Sequence, residues 1–158
     1  MEQKLPQRKP LRIPDYDYSQ CNVYFLTICT ANRDPILWDK SFRLEIGLPL
    51  SAAGNVVKDC IEQISLRYET VKIEKYCVMP DHIHLLLFFD AATSGRPMVA
   101  PTVSRVVQQF KGTVSKILGQ SVWQKSYYDH VIRNVDDYLA CWQYIENNPL
   151  KYEVTTCL

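Results

Sequence analysis

The spacing of apolar and polar residues changes period several times along the chain, and each change marks an element. Residues 23–30, Val-Tyr-Phe-Leu-Thr-Ile-Cys-Thr, are rich in β-branched and aromatic side chains and predict a first strand. Residues 32–49 show no clean period and hold Pro35, Trp38, Gly47 and Pro49, which predicts a long loop with a short strand at 43–46. Ser51 then offers a helix cap, and Ala53, Val56, Val57, Cys60, Ile61 and Ile64 recur at three and four, the period of an amphipathic helix. A second strand follows at 71–78, where Val71 and Ile73 alternate with Lys72 and Glu74. Met79-Pro80-Asp81 reads as a turn, and the apolar run 82–89 as a third strand hairpinned to the second.

Turn-forming residues return at 90–101, with Ser94-Gly95-Arg96-Pro97 and Pro101, and predict a surface connection. A second helix is expected from about Thr102 to Leu118, with Val103, Val106, Val107, Phe110, Val114, Ile117 and Leu118 on one stripe and Gly119 at the stop. Residues 126–133 are again β-like. A third helix is expected to begin near Asn134, with Asp136 and Asp137 in its first turn, and to stop before Pro149. The order β-α-β-β-α-β-α predicts an α+β fold of the split β-α-β kind. Two helices would cover one face of an antiparallel sheet and leave the other to a ligand and the third helix. Residues 23–158 then form one domain, preceded by an extended arm, 1–22, that carries Pro6, Pro10 and Pro14.

Composition narrows the function. With 47% hydrophobic and 22% charged residues, the 158-residue chain has the make-up of a soluble globular protein. Its six cysteines form no Cys-x-x-Cys pair and read as small buried hydrophobes in a reducing compartment. No apolar run reaches the roughly 18 residues of a membrane span, and the amino terminus carries no hydrophobic signal region, so a cytoplasmic location is expected. A net charge of +1 argues against coating duplex DNA by electrostatics alone, although Lys4, Arg8, Lys9 and Arg12 make the arm locally basic.

The candidate chemistry lies on the third strand. Alternation puts His82, His84, Leu86 and Phe88 on one face, and the two imidazoles stand about 6.6–6.8 Å apart at their Cα atoms. Two ligands of one metal ion suit that spacing. Burying two imidazoles without partners would cost roughly 1–3 kcal/mol each, so a second element is needed to answer them. On the third helix, at 100° per residue, Tyr138, Cys141, Trp142 and Ile145 form a buried stripe. Tyr144 and Asn148 fall together on its rim, one turn apart. A phenol and a carboxamide so placed can reach one point on the sheet. With the histidines they supply nitrogen and oxygen ligands for a divalent ion and a hydroxyl nucleophile.

Val78-Met79-Pro80-Asp81-His82-Ile83-His84-Leu85 resembles the HUH (His-hydrophobic-His) motif of the single-strand DNA tyrosine transposases. Residues 12–33, Phe110-Lys111-Gly112, residues 123–134 and residues 144–151 resemble the REP-associated tyrosine transposase branch, in the expected order over nearly the whole chain. The resemblance implies a ferredoxin-like or RRM-like sheet with two helices on one face and a carboxy-terminal helix carrying the nucleophilic tyrosine. It implies Tyr144 as that nucleophile, His82, His84 and Asn148 as ligands of Mg²⁺ or Mn²⁺, and single-stranded DNA with a REP-like hairpin as partner. Relatives of this kind work as monomers or homodimers.

The expected activity is metal-dependent nicking and strand transfer through a 5′-phosphotyrosine. Arg8, Lys9, Arg12, Lys111, Trp123, Lys125, Tyr127, Tyr128, His130 and Arg133 are candidate DNA contacts, since single strands are gripped by aromatic stacking in a basic groove. Trp123 and one of the tyrosines could equally be core, and His130 could carry a proton. Two other readings compete. An RRM-like module that binds without cutting would not need paired histidines. A zinc hydrolase would need an acid beside them, and alternation turns Asp81 to the opposite face.

Overall fold

The structure, a computed structural model, describes residues 22–39, 50–90 and 101–156. The arm, the strand expected at 43–46 and most of the 90–101 connection lie outside those residues, as do Arg8, Lys9 and Arg12.

Four strands form one antiparallel sheet: β1 (Asn22–Cys29), β2 (Val71–Val78), β3 (His82–Phe89) and β4 (Tyr128–Val131), in the order β2-β3-β1-β4. Among the described residues three α-helices complete it: α1 (Ala52–Arg67), α2 (Val103–Leu118) and α3 (Val135–Thr156). The element order and the position of every strand follow the expectation. Local chemistry explains the ends. Ser51 accepts a hydrogen bond from the Gly54 amide at α1, Thr102 accepts one from Arg105 at α2, and Gly119 closes α2 in the left-handed region at φ 73°.

Sheet periodicity divides the molecule into two layers of packing. Tyr24, Leu26 and Ile28 of β1 and Ile83, Leu85, Leu87 and Phe89 of β3 point to one side and meet α1 and α2 in the main core. Phe25 of β1, Leu86 of β3 and Cys77 of β2 point to the other and meet Ile145 of α3, with Tyr138, Cys141 and Trp142 packed around them. Gly54 permits a close approach in the first layer, because a Cβ there would lie 2.0 Å from the Leu37 carbonyl oxygen.

One expectation fails. α3 does not stop before Pro149 but runs through it to Thr156. Proline fixes φ near the helical value, and the missing amide leaves only the Ile145 carbonyl without its helical partner, so a helix already held by packing can absorb it. That packing is visible along α3. Lys75 Nζ lies 3.3 Å from Glu146 and 4.3 Å above the Trp142 ring, and the Tyr138 hydroxyl donates to Glu74 at 3.1 Å. These contacts tie α3 to the β2 edge.

Candidate functional site

Register places the site. Thr27 of β1 pairs with His84 of β3, and Tyr128 of β4 pairs with Thr27, while Cys77 of β2 pairs with His84 from the other side. The result is one cross-sheet row, Tyr128-Thr27-His84-Cys77, on the α3 face. Neighbours in such a row are within side-chain reach, and Thr27 Oγ1 lies 2.9 Å from His84 Nδ1. His82 stands two residues along β3, and its Nε2 faces His84 Nε2 at 3.1 Å.

Each histidine has a second partner that orients it. His82 Nδ1 lies 2.6 Å from Asp81 Oδ1, and the other Asp81 oxygen, Oδ2, meets Arg33 Nε at 3.0 Å. This corrects the alternation argument for Asp81. The residue precedes β3 and lies in the turn, where strand alternation no longer governs direction. Arg33 is brought there by a short 3₁₀ turn, Ala31–Arg33, in which Asn32 and Arg33 both take positive φ. Its guanidinium also donates to Cys29 Sγ at 2.7 Å. Strand alternation in the sequence turns Asp81 away from the histidines, and nothing in the sequence singles out Arg33. The Pro-Asp pair directly before the first histidine was the available signal.

Burial keeps both rings neutral. His84 is 3% exposed, and burial, then the neighbouring His82, push its pKa down to about 3. His82 is lowered too, because burial outweighs the pull of Asp81. A neutral imidazole has one donor and one acceptor nitrogen. If His82 gives its Nδ1–H to Asp81 and His84 gives its Nδ1–H to Thr27, both Nε2 lone pairs converge. Their 3.1 Å separation matches the roughly 3.0 Å between adjacent ligands of an octahedral ion with bonds of about 2.1 Å.

Tyr144 reaches this pair from α3. Its ring stands edge-on to His84, with centroids 5.2 Å apart, and edge-on to Phe25 at 5.9 Å, while Phe25 stacks on His84 at 5.2 Å. Tyr144 remains 48% exposed, so the phenol is reachable from solvent. Asn148 follows one turn later, half-buried, and its Nδ2 is buried without a hydrogen-bond partner. A carboxamide turned end for end puts its oxygen in that place. A buried amide end with no hydrogen-bond partner, one helical turn after the tyrosine that meets His84, together with two imidazole nitrogens is a donor set that fits a hard or borderline divalent ion.

The remaining expected residues divide. Trp123 is 7% exposed and packs on Phe110 as core. Tyr127 packs against the same core, with its hydroxyl 3.1 Å from Ser104 Oγ. Lys111 is half-buried, and its ammonium donates to the carbonyls of Gln124 at 2.7 Å and Ser126 at 3.0 Å, so it shapes the loop before β4 and does not project into solvent. Lys125 and Arg133 are exposed, and Tyr128 is 53% exposed. An open cleft of about 310 Å³ is lined by Phe25, Tyr128, His130, Ala140, Cys141 and Tyr144. At its wall His130 Nε2 lies 2.8 and 2.9 Å from the two oxygens of Asp137. Burial raises the Asp137 carboxyl, but the hydrogen bonds from His130 and the Arg133 amide outweigh it and hold it below the usual range.

The sequence model of IS200-like transposases matches residues 18–148. An uncharacterized protein of Haemophilus influenzae is 28% identical over 165 residues, spanning 92% of this chain and 90% of that protein. Another Haemophilus influenzae protein, provisionally named a REP-associated tyrosine transposase, is 26% identical over 146 residues, 86% of this chain and 74% of its own. Among solved structures, a REP-associated tyrosine transposase bound to a REP hairpin matches with a TM-score of 0.63 at 20% identity, over 89% of this chain and 74% of that one. Among the described residues no helix is long and apolar enough to cross a membrane.

Proposed function

The chain belongs to the IS200-like transposase family, and from that premise we propose that it nicks and rejoins single-stranded DNA beside a hairpin, as a transposase of the REP-associated kind. The observation that carries this reading is the Tyr144 ring against His84, whose Nε2 converges with that of His82.

Bound Mg²⁺ or Mn²⁺ would supply Lewis-acid polarisation of the scissile phosphate. His82, His84 and Asn148 are the residues that would hold it, and Asp81 and Thr27, by accepting the Nδ1 protons, would fix the imidazole tautomers that holding requires. Tyr144 gives up its phenolic proton and attacks phosphorus. The bond to the 3′-oxygen breaks, and that oxygen takes a proton. A 5′-phosphotyrosine and a 3′-OH result. Because the phosphotyrosine retains the bond's energy, a second 3′-OH can reverse the step and join strands without ATP.

The exposed Tyr128, Lys125 and Arg133 would hold the strand, with His130 at the cleft wall. The basic arm, with Arg8, Lys9 and Arg12, would meet the hairpin, while residues 23–158 act as one catalytic domain in the cytoplasm. The test is a covalent adduct between the protein and labelled hairpin DNA that needs divalent metal and disappears in Tyr144→Phe. Binding without an adduct would leave a nucleic-acid-binding module.

A further inference from the structure

A second group of metal-binding side chains lies apart from the histidine pair. His130 of β4 and Asp137 and Cys141 of α3 each offer one ligand atom, and those atoms all lie within 4.8 Å of one another. Asp137 and Cys141 are four residues apart and so share one helix face, and β4 presents His130 to that face. All three are half-buried, which lowers the competition from water. The cleft that reaches Tyr144 opens onto His130 and Cys141, so an ion arriving there would keep a coordination position towards solvent.

We propose that His130, Asp137 and Cys141 form a second cation site, selective for Zn²⁺, that clamps the first turns of α3 to β4. Imidazole nitrogen, carboxylate oxygen and thiolate sulfur make a borderline-soft set. It suits tetrahedral Zn²⁺ with an open fourth position and suits Mg²⁺ poorly. The rearrangement is small. Asp137 keeps Oδ2 on the Arg133 amide at 3.1 Å and turns Oδ1 to the ion. His130 Nε2, now 2.8 Å from Oδ1, gives its lone pair to the ion with its ring proton on Nδ1. The Cys141 thiol releases its proton to solvent as sulfur binds the metal. Cys141 lies less than one turn before Tyr144, so the clamp would fix the helix segment that presents the phenol. The site stands independently of the nicking reaction, since it depends on none of His82, His84 or Asn148.

Co²⁺ reports it directly, because a thiolate–Co²⁺ bond gives a near-ultraviolet charge-transfer band that imidazole and amide ligands do not. The reduced full-length protein is expected to show that band at one equivalent of Co²⁺. His82→Ala should keep it, and Cys141→Ser and His130→Ala should lose it. Zn²⁺ should raise the melting temperature of the wild type and of His82→Ala but not of Cys141→Ser, whose metal-free melting temperature shows whether it folds. Should Cys141→Ser fail to fold, Asp137→Asn and His130→Ala carry the comparison. No band in the wild type overturns the proposal. So does a band that survives Cys141→Ser, which would point to another cysteine such as Cys77, or one that vanishes in His82→Ala.

Discussion

Thr27 Oγ1 lies 2.9 Å from His84 Nδ1, in register across the β1–β3 ladder. The hydroxyl can accept the Nδ1 proton and so leave Nε2 free for a metal. Outer-sphere partners of this kind typically change metal affinity by about 10–100-fold. Thr27→Val keeps shape and removes the hydroxyl, so Mn²⁺ affinity should fall within that range with little change in fold. Titration of Mn²⁺ by calorimetry checks it, and unchanged affinity would remove Thr27 from the account.

Stability should depend on pH through the same ring. His84 titrates near 3 in the folded chain, chiefly because it is buried, with His82 adding to the effect, and near about 6.5 when unfolded. Between those values the unfolded chain binds a proton that the folded chain refuses. Stability from this group is therefore complete above about pH 6.5 and is lost as pH falls towards 3. His82 moves in the same direction. Urea unfolding of the metal-free protein between about pH 7.5 and about pH 4.5 should show a shallower acid loss in His84→Gln than in the wild type. Equal slopes would contradict the buried neutral imidazole.

Ile145 is 1% exposed and is the α3 side chain seated in the second layer, against Phe25 and Leu86. Truncation of such a residue costs about 2–5 kcal/mol, here towards the lower limit because the layer is small and its rim can relax. Ile145→Ala should lose stability by thermal melting and lose adduct formation further than the melt explains, since α3 also presents Tyr144. Parallel losses in both would mean that docking of α3 does not limit the reaction.

Tyr128 is half-exposed on β4 and lines the cleft with Tyr144. Stacking of one base on an aromatic ring contributes roughly 1–3 kcal/mol. Tyr128→Ala should weaken binding of single-stranded hairpin DNA by about 5–150-fold, a range that follows from that energy, and leave the melting temperature nearly unchanged. Fluorescence anisotropy checks it, and unaltered affinity would move the strand off this face.

Much of this arrangement was legible in the sequence, because period-2 and period-3.6 patterns are local. The strands, the cap at Ser51, the stop at Gly119 and the pairing of His82 with His84 on one face all depend on neighbours within a few residues. What escaped depends on register or on tertiary contact. Asp81 reaches His82 because it sits in a turn, where strand alternation does not hold. Thr27 meets His84 only through a pairing 57 residues apart. Lys111 reads as a surface cation on a helical wheel, yet its ammonium is taken by loop carbonyls. Pro149 reads as a stop, and α3 passes through it because Lys75, Glu74 and the second-layer core hold the helix to the sheet. The His130-Asp137-Cys141 group combines an i, i+4 helix pair with a strand residue, and only the strand–helix contact reveals it.

The central claim is that Tyr144 is the nucleophile served by a metal on His82 and His84. End-labelled single-stranded hairpin DNA, incubated with Mn²⁺ and either wild-type protein or Tyr144→Phe, is resolved on a denaturing gel. The account predicts label that stays on the wild-type protein, disappears with chelator and is absent from Tyr144→Phe and His84→Ala. Label retained by Tyr144→Phe, or cleavage with no protein-bound product at any time point, would contradict it.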